Sequence, residues 1–232
     1  MPITITDVVN DFVCNYKAYP NDRYMSYEHC RKYFLDNRYF PAKYDFITLH
    51  LYAYLASWGM LRNSFLLHKD YLFNKPVVEI LCKSKYSRLV CFDPFAQNAN
   101  NDLNLIMDHL IEEIKNYYES KTYIDPDTGN EKDIDHVTDT LISKIILGTL
   151  GCVPAYDQFF IKGLRKYNED YKLKPKIMKS FKKESLEALI NFAKANKKEI
   201  EDACDKLNIT CGVKGLYTPM KVIDMYFWEL GR

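Results

Sequence analysis

The segment Phe46–Leu67, FITLHLYAYLASWGMLRNSFLL, is an almost unbroken apolar stretch. Its apolar residues occur at helical spacing and fill the remaining faces as well, and a helix that is apolar all round is buried all round. A membrane span needs about 18 or more consecutive apolar residues with few charges, whereas His50, Arg62 and Asn63 interrupt this stretch. The segment therefore predicts a central core helix that ends or bends near Gly59.

Length and composition favour one mostly helical domain. A chain of 232 residues with 47% hydrophobic content can bury one sizeable core. Only eight glycines and nine prolines, with few alternating apolar runs, indicate helices rather than strands. We predict an all-α fold with a single globular domain, 1–232, of about nine or ten helices around the central apolar helix. Turn residues in Tyr123–Asp135 predict an exposed turn and a possible subdomain boundary.

Periodicity predicts where several of the other helices lie. Residues Thr6–Tyr19, Leu103–Tyr118 and Thr218–Leu230 place their apolar side chains on one helical face. In the helix that begins at Ser26, the charged side chains are predicted to lie on the solvated face; these are Arg31, Lys32 and Arg38. Pro154, after a glycine-containing turn, is predicted to begin another helix, because proline is suited to a first helical turn.

Charge and cysteine usage narrow the function classes. The formal net charge is +1, so no global field recruits nucleic acid or an anionic membrane, although local patches remain possible. The seven cysteines contain no Cys-x-x-Cys pair, and no secretory signal is recognised, which predicts reduced thiols and a cytoplasmic location. No metal-ligand spacing, phosphate-binding glycine loop or esterase nucleophile motif occurs, so neither a metal nor a cofactor is predicted.

Four ionisable residues interrupt the two most apolar blocks: His50, Arg62, Lys144 and Asp157. Burying any of them without a partner is costly, so each must pair, reach water or line a cavity. If the two blocks pack together, Arg62 can pair with Asp157. This pair is either an ordinary ion pair at helix ends or part of a cleft. In the cleft, Arg62 binds a phosphate or carboxylate, and Asp157 or His50 acts as the acid–base or hydrogen-bonding group.

Residues 141–165 contain Lys144, the turn LGTLG (147–151) and the segment VPAYD (153–157). This order resembles the segment after the helix-hairpin-helix of DNA glycosylases, which carries a catalytic aspartate after a Val-Pro pair. The resemblance implies that Asp157 is the catalytic aspartate and that Lys144 is a possible amine nucleophile. The chain departs from the pattern in having no Gly-Val-Gly hairpin, and Asp157 lies further from Pro154 than in the motif.

A second resemblance involves YAYLASWGM (52–60) together with VPAYD (153–157). Both are similar to segments of a family of helical bacterial proteins without a described activity. This resemblance implies a family and a bacterial source, but no reaction.

A lysine-rich segment, Lys172–Lys183, includes Lys174, Lys176 and Lys179. With Tyr171 and Phe181 between them, these lysines could contact several phosphates of a nucleic acid, or the segment could be a solvated connection. We expect a helical binding or interaction module that contacts nucleic acid or a protein partner. The alternative is a nucleic-acid-processing enzyme similar to DNA glycosylases. The sequence leaves both the catalytic status and the oligomeric state open.

Overall fold

Helices form along most of the chain, as the spacing of its apolar residues predicts. A computed structural model describes residues 3–62, 64–97, 99–171, 177 and 179–232. Within these residues the protein is mostly helical and has 11 α-helices and one two-stranded sheet, which confirms the all-α class. The helices are α1 (Ile5–Ala18), α2 (Met25–Asn37), α3 (Tyr44–Ser57), α4 (Lys75–Leu81), α5 (Ala99–Leu105), α6 (Ile111–Glu119), α7 (Asp139–Thr149), α8 (Gln158–Asp170), α9 (Lys183–Ala195), α10 (Lys197–Cys211) and α11 (Pro219–Gly231).

Two features explain why the structure has more α-helices than the nine or ten that the sequence predicts. The amphipathic stretch predicted as one helix over Leu103–Tyr118 consists of α5, a π-helical turn at Ile106–Leu110 and α6. The polar stretch before Gly212 forms α10, with Ile200, Ala203 and Leu207 buried. Segments of 3-10 helix lie at Pro41–Lys43, Phe65–His68, Tyr71–Asn74 and Ser84–Cys91.

The segment predicted as an exposed turn, Tyr123–Asp135, contains most of a small hairpin. Strand β1 (Thr122–Ile124) pairs antiparallel with β2 (Glu131–Asp133), and Thr122 lies opposite Asp133. Buried residues on both sides of this hairpin belong to one connected hydrophobic core that extends from Ile5 to Leu230. No helix in the described ranges is long and apolar enough to cross a membrane.

The most completely buried helix is α7, rather than the predicted Phe46–Trp58 helix. Every residue from Leu141 to Leu150 is buried. In α3, Leu51 and Leu55 are fully buried, but Phe46 is 54% exposed. The prediction that this helix is buried on all faces is therefore wrong, because only one of its faces meets other helices. The expected packing of the two helices is confirmed: α7 contacts α3, where the ring of Tyr54 lies against Gly148.

Arg31 is buried, which corrects the prediction of a solvated face on α2. The side chain is 0% exposed. Its Nη1 donates to the carbonyl oxygen of Thr149 at 2.6 Å, and its Nε donates to that of Leu216 at 2.9 Å. Burial lowers the pKa of Arg31 below its ordinary value. Lys32 is exposed as predicted, whereas Arg38 is half-buried.

Pro154 does not begin a helix. The chain from Gly151 to Tyr156 is buried and non-helical, and α8 begins at Gln158 with Asp157 as its N-cap. Buried backbone groups need partners, and here side chains of the neighbouring helices supply them. Ser143 of α7 accepts from the Tyr156 N–H at 2.9 Å, and Asp224 of α11 accepts from the Ala155 N–H at 2.9 Å.

Helices α8 and α11 pack against each other at glycines. A Cβ placed on Gly163 of α8 would lie 1.8 Å from the carbonyl oxygen of Phe227 in α11. Only a residue without a side chain allows the two backbones to approach this closely. This contact therefore fixes the position of α8 relative to α11. It also fixes the residues of the two helices that border the cavity described next.

Candidate functional site

A cavity of about 600 Å³ lies between α1, the end of α3, α7, the start of α8 and α11. We call its buried inner wall the floor; the floor is formed by Tyr54, Lys144, Leu147, Ala155, Lys221 and Asp224. We call its exposed opening the rim; the rim is formed by Asp11, Asn15, Tyr19, Asp22, Arg23 and Arg232. A cavity of this size is within the range of about 300–1,000 Å³ that small-molecule sites occupy.

One ion pair joins α7 to the start of α8 beside the cavity. Lys144 Nζ lies 3.1 Å from Asp157 Oδ2, and the two side chains are only 4% and 13% exposed. The other oxygen of Asp157 accepts from the N–H groups of Phe159 and Phe160, at 3.1 and 3.0 Å. Asp157 is thus an N-cap that satisfies the first turn of α8 while it neutralises a buried lysine.

A second ion pair lies on α11. Lys221 Nζ is 2.7 Å from Asp224 Oδ2, and both side chains are 8% exposed. The residues are three apart on one helix and therefore share a face. Since Asp224 Oδ1 also accepts from the Ala155 N–H at 2.9 Å, the pair fixes the segment between α7 and α8 against α11.

The indole of Trp58 lies near both buried ammonium groups. Lys144 Nζ is 5.0 Å from the centre of the Trp58 ring, and Lys221 Nζ is 5.9 Å from it. Both distances are within the range of cation–π attraction. The Trp58 Nε1 is buried and has no hydrogen-bond partner among the described residues.

Tyr54 adds a hydroxyl group to the floor. Its side chain is 3% exposed, yet within the described part of the chain no hydrogen bond to its hydroxyl is formed. Burial raises the pKa of Tyr54 well above its ordinary value, and the Asp224 carboxylate raises it further. The hydroxyl therefore stays protonated and can donate to a group that enters the cavity.

Aromatic rings form much of the remaining wall. The ring centres of Tyr24 and Trp58 are 5.3 Å apart, and those of Phe159 and Trp228 are also 5.3 Å apart. At the rim, the Arg23 guanidinium lies 4.9 Å from the centre of the Trp58 ring. The cavity thus combines a charged floor with apolar, planar side walls.

Two of the residues predicted from sequence, Lys144 and Asp157, are brought together at this cavity. The expected partner of Asp157, Arg62, is exposed in the turn after α3 and forms no ion pair in the part of the chain that the structure describes. The predicted Arg62–Asp157 pair is therefore wrong, because the chain turns outward after α3 and Lys144 takes the place beside the carboxylate.

Two of the other predicted binding residues, His50 and Lys179, do not line the cavity. His50 stacks on Tyr33 with ring centres 4.2 Å apart, and burial together with His29 lowers the pKa of His50. Lys179 is exposed. Lys174 and Lys176 lie outside the described residues, so their prediction is not tested by the structure.

Sequence reasoning missed Tyr54, Lys221 and Asp224. The signal for Lys221 and Asp224 was the one that identified Lys144, namely charged residues within an apolar helix. The prediction from isolated charges covers only the two most apolar blocks, and Thr218–Leu230 is predicted only as a helix with one apolar face. Tyr54 could not be separated from the many tyrosines of the chain, since only packing shows which hydroxyl lacks a partner.

Comparisons with protein-family models, with curated protein sequences and with solved structures find no match to this chain. Among the residues that the structure describes, no three His, Cys, Asp or Glu side chains are grouped so that they could hold a metal ion. The chemistry that the cavity does offer is ionic, hydrogen-bonding and aromatic contact.

Proposed function

We propose that this protein is a ligand-binding module that takes a small molecule into the cavity between α1, α7, α8 and α11. The observation that carries the proposal is the presence of two buried Lys–Asp pairs beside an open cavity of about 600 Å³. A buried ion pair contributes little to the net stability of a fold, since replacing both residues with apolar ones of similar volume is often neutral or stabilising. Their position around a cavity supports a role in binding.

The enzyme alternative, a nucleic-acid-processing protein similar to DNA glycosylases, has one observation in its favour. Lys144 and Asp157, the residues that the resemblance assigns to catalysis, lie 3.1 Å apart beside the cavity. An amine nucleophile needs a free electron pair, however, and Lys144 is an ammonium group paired with a carboxylate. Asp157 also uses its other oxygen as the cap of α8. This arrangement favours binding over catalysis.

Contact with nucleic acid or a protein partner through the lysine-rich segment is a separate proposal. Lys179 and Lys182 are exposed and therefore accessible to such a partner. A gel shift with mixed DNA and RNA at increasing salt tests it, because phosphate contacts weaken steeply with salt. Base release or strand cleavage in the same samples would instead support the enzyme alternative.

A small-molecule screen tests the cavity proposal. A library of acids, amines and neutral aromatic compounds is scanned for compounds that raise the melting temperature, since ligands that bind the folded state stabilise it. Binding is then measured by calorimetry with the parent protein and with Asn15→Trp. Asn15 is exposed at the rim, so a large side chain there is expected to obstruct the opening without disturbing the core.

Asn116→Trp is the matched control, because Asn116 is also an exposed asparagine on a helix but does not line the cavity. The proposal expects ligands whose affinity falls about tenfold or more in Asn15→Trp and stays unchanged in Asn116→Trp. A library without a single binder, or binders that are indifferent to Asn15→Trp, would overturn it.

A further inference from the structure

We propose that the ligand is a small aromatic anion, whose acidic group is bound by Lys144, Lys221 and the Tyr54 hydroxyl and whose ring contacts Trp58 and Trp228. This inference rests on the proposed binding function and specifies its ligand class. Three observations support it: the donors on the floor that the described residues leave free, the hydrogen bonds that already occupy the two carboxylates, and the aromatic side walls.

The floor holds more hydrogen-bond donors than its own acceptors use. An ammonium group carries several N–H donors. Lys144 donates one of them to Asp157, and Lys221 donates one to Asp224. For both lysines, the described residues provide no other hydrogen-bond acceptor. The Tyr54 hydroxyl is a further donor without a partner there. An acidic group of a ligand would accept from these donors with charge-assisted bonds.

The carboxylates are less suited to bind a cation, because they are already engaged. Asp157 accepts from one lysine and two backbone N–H groups, and it caps α8, whose N-terminal dipole favours negative charge. Asp224 accepts from Lys221 and from the Ala155 N–H. The oxygens of both acids are thus occupied by donors of the protein, whereas each lysine keeps N–H groups that an acceptor in the cavity can use.

The charges at the rim do not reverse this preference. Asp11 and Asp22 are exposed there, but so are Arg23 and Arg232. Glu229, which also lines the cavity, lies 3.5 Å from Arg232. Exposed charges of mixed sign are screened by solvent, whereas the buried Lys–Asp pairs of the floor are screened much less. Selectivity for charge is therefore expected from the floor.

The side walls favour a ring over an aliphatic ligand. Tyr24, Trp58, Phe159 and Trp228 all line the cavity, and aromatic faces contact planar groups at little cost in conformational entropy. Trp58 and Trp228 are also the only tryptophans in the sequence. Their fluorescence consequently reports on this cavity without interference from another site.

Three probes separate the contributions of ring and charge. They are para-iodobenzoate, its neutral isostere para-iodobenzamide, and acetate, an anion without a ring. The iodine atom quenches tryptophan fluorescence on contact, and calorimetry gives the affinities. We expect the benzoate to bind about tenfold or more tightly than the amide, as one or two charge-assisted hydrogen bonds would give. Acetate is expected to bind more weakly than the benzoate.

A paired replacement tests the role of the floor without leaving a buried charge alone. In Lys221→Met with Asp224→Asn, the ion pair is removed while the asparagine oxygen can still accept from the Ala155 N–H. We expect the preference for benzoate over benzamide to fall about fivefold or more. Lys32→Met with Asp36→Asn removes an exposed Lys–Asp pair outside the cavity and is expected to leave the preference unchanged.

The outcomes distinguish this inference from the proposed function. Equal affinity for the benzoate and the amide would overturn the anion assignment, and so would an unchanged preference in the Lys221/Asp224 variant. If that variant does not fold, the comparison of the two probes in the parent protein still decides. If neither iodinated probe binds, but other library compounds bind and lose affinity in Asn15→Trp, the ligand class is wrong and the binding function stands. If nothing binds the cavity, both fail.

Discussion

At the residue scale, Arg31 shows how a buried charge can be accommodated without a carboxylate. Its guanidinium donates to backbone oxygens of Thr149, at the end of α7, and of Leu216, in the segment before α11. The carbonyl groups at a helix C-terminus carry partial negative charge and need donors. Arg31 therefore joins three parts of the chain, and it supplies a donor to the Thr149 oxygen at the end of α7, whereas the Leu216 oxygen also accepts from the Tyr27 hydroxyl.

Replacing Arg31 with methionine is expected to lower the free energy of unfolding by about 2–4 kcal/mol, because it removes the donor to the buried Thr149 oxygen and one of the two donors to the Leu216 oxygen. The adjacent Lys32→Met is the control; it removes an exposed charge and is expected to change stability by less than about 0.5 kcal/mol. Urea unfolding of the two variants checks this. Equal midpoints would mean that the Arg31 contacts contribute nothing.

At the element scale, α8 and α11 form one wall of the cavity, and their separation is set by Gly163. Gly163→Ala would place a methyl group against the carbonyl of Phe227 and should cost about 1–3 kcal/mol, since the helices must move apart. Lys166→Ala, at an exposed position of the same helix, is expected to stay within about 0.5 kcal/mol. Urea denaturation midpoints give the stability of both variants. A Gly163→Ala protein as stable as the parent would contradict the close packing of α8 and α11.

At the scale of the whole molecule, one core is built around α7 with α3 against it. Leu55→Asp inserts a charge where the side chain is 0% exposed and is expected to cost more than about 4 kcal/mol. Lys182→Asp should instead stabilise the protein by about 0.5–1 kcal/mol, because position 182 is the N-cap of α9 and lacks a side-chain cap. Melting temperatures that shift by the same amount in both variants would show that the core is wrongly assigned.

The sequence alone determined the helical class and several helix ends, because these depend on neighbours along the chain. Pro219 fits the first turn of α11, and α3 ends at Ser57, close to the predicted bend at Gly59. Local periodicity could not distinguish α3 from α7 as the most buried helix, since both are rich in apolar residues and burial depends on how many faces meet other helices.

The tertiary structure alone decided the site. Lys144 and Asp157 were identified as charges in apolar surroundings, but their pairing with each other, rather than of Asp157 with Arg62, depends on the path of the chain between α7 and α8. Lys221 and Asp224 reach the same cavity from α11, where Asp224 binds the backbone of Ala155, 69 residues earlier. A sequence pattern records which side chains need partners. Which of them meet is fixed by the packing of distant helices, because hydrogen bonds and ion pairs act only over a few ångströms.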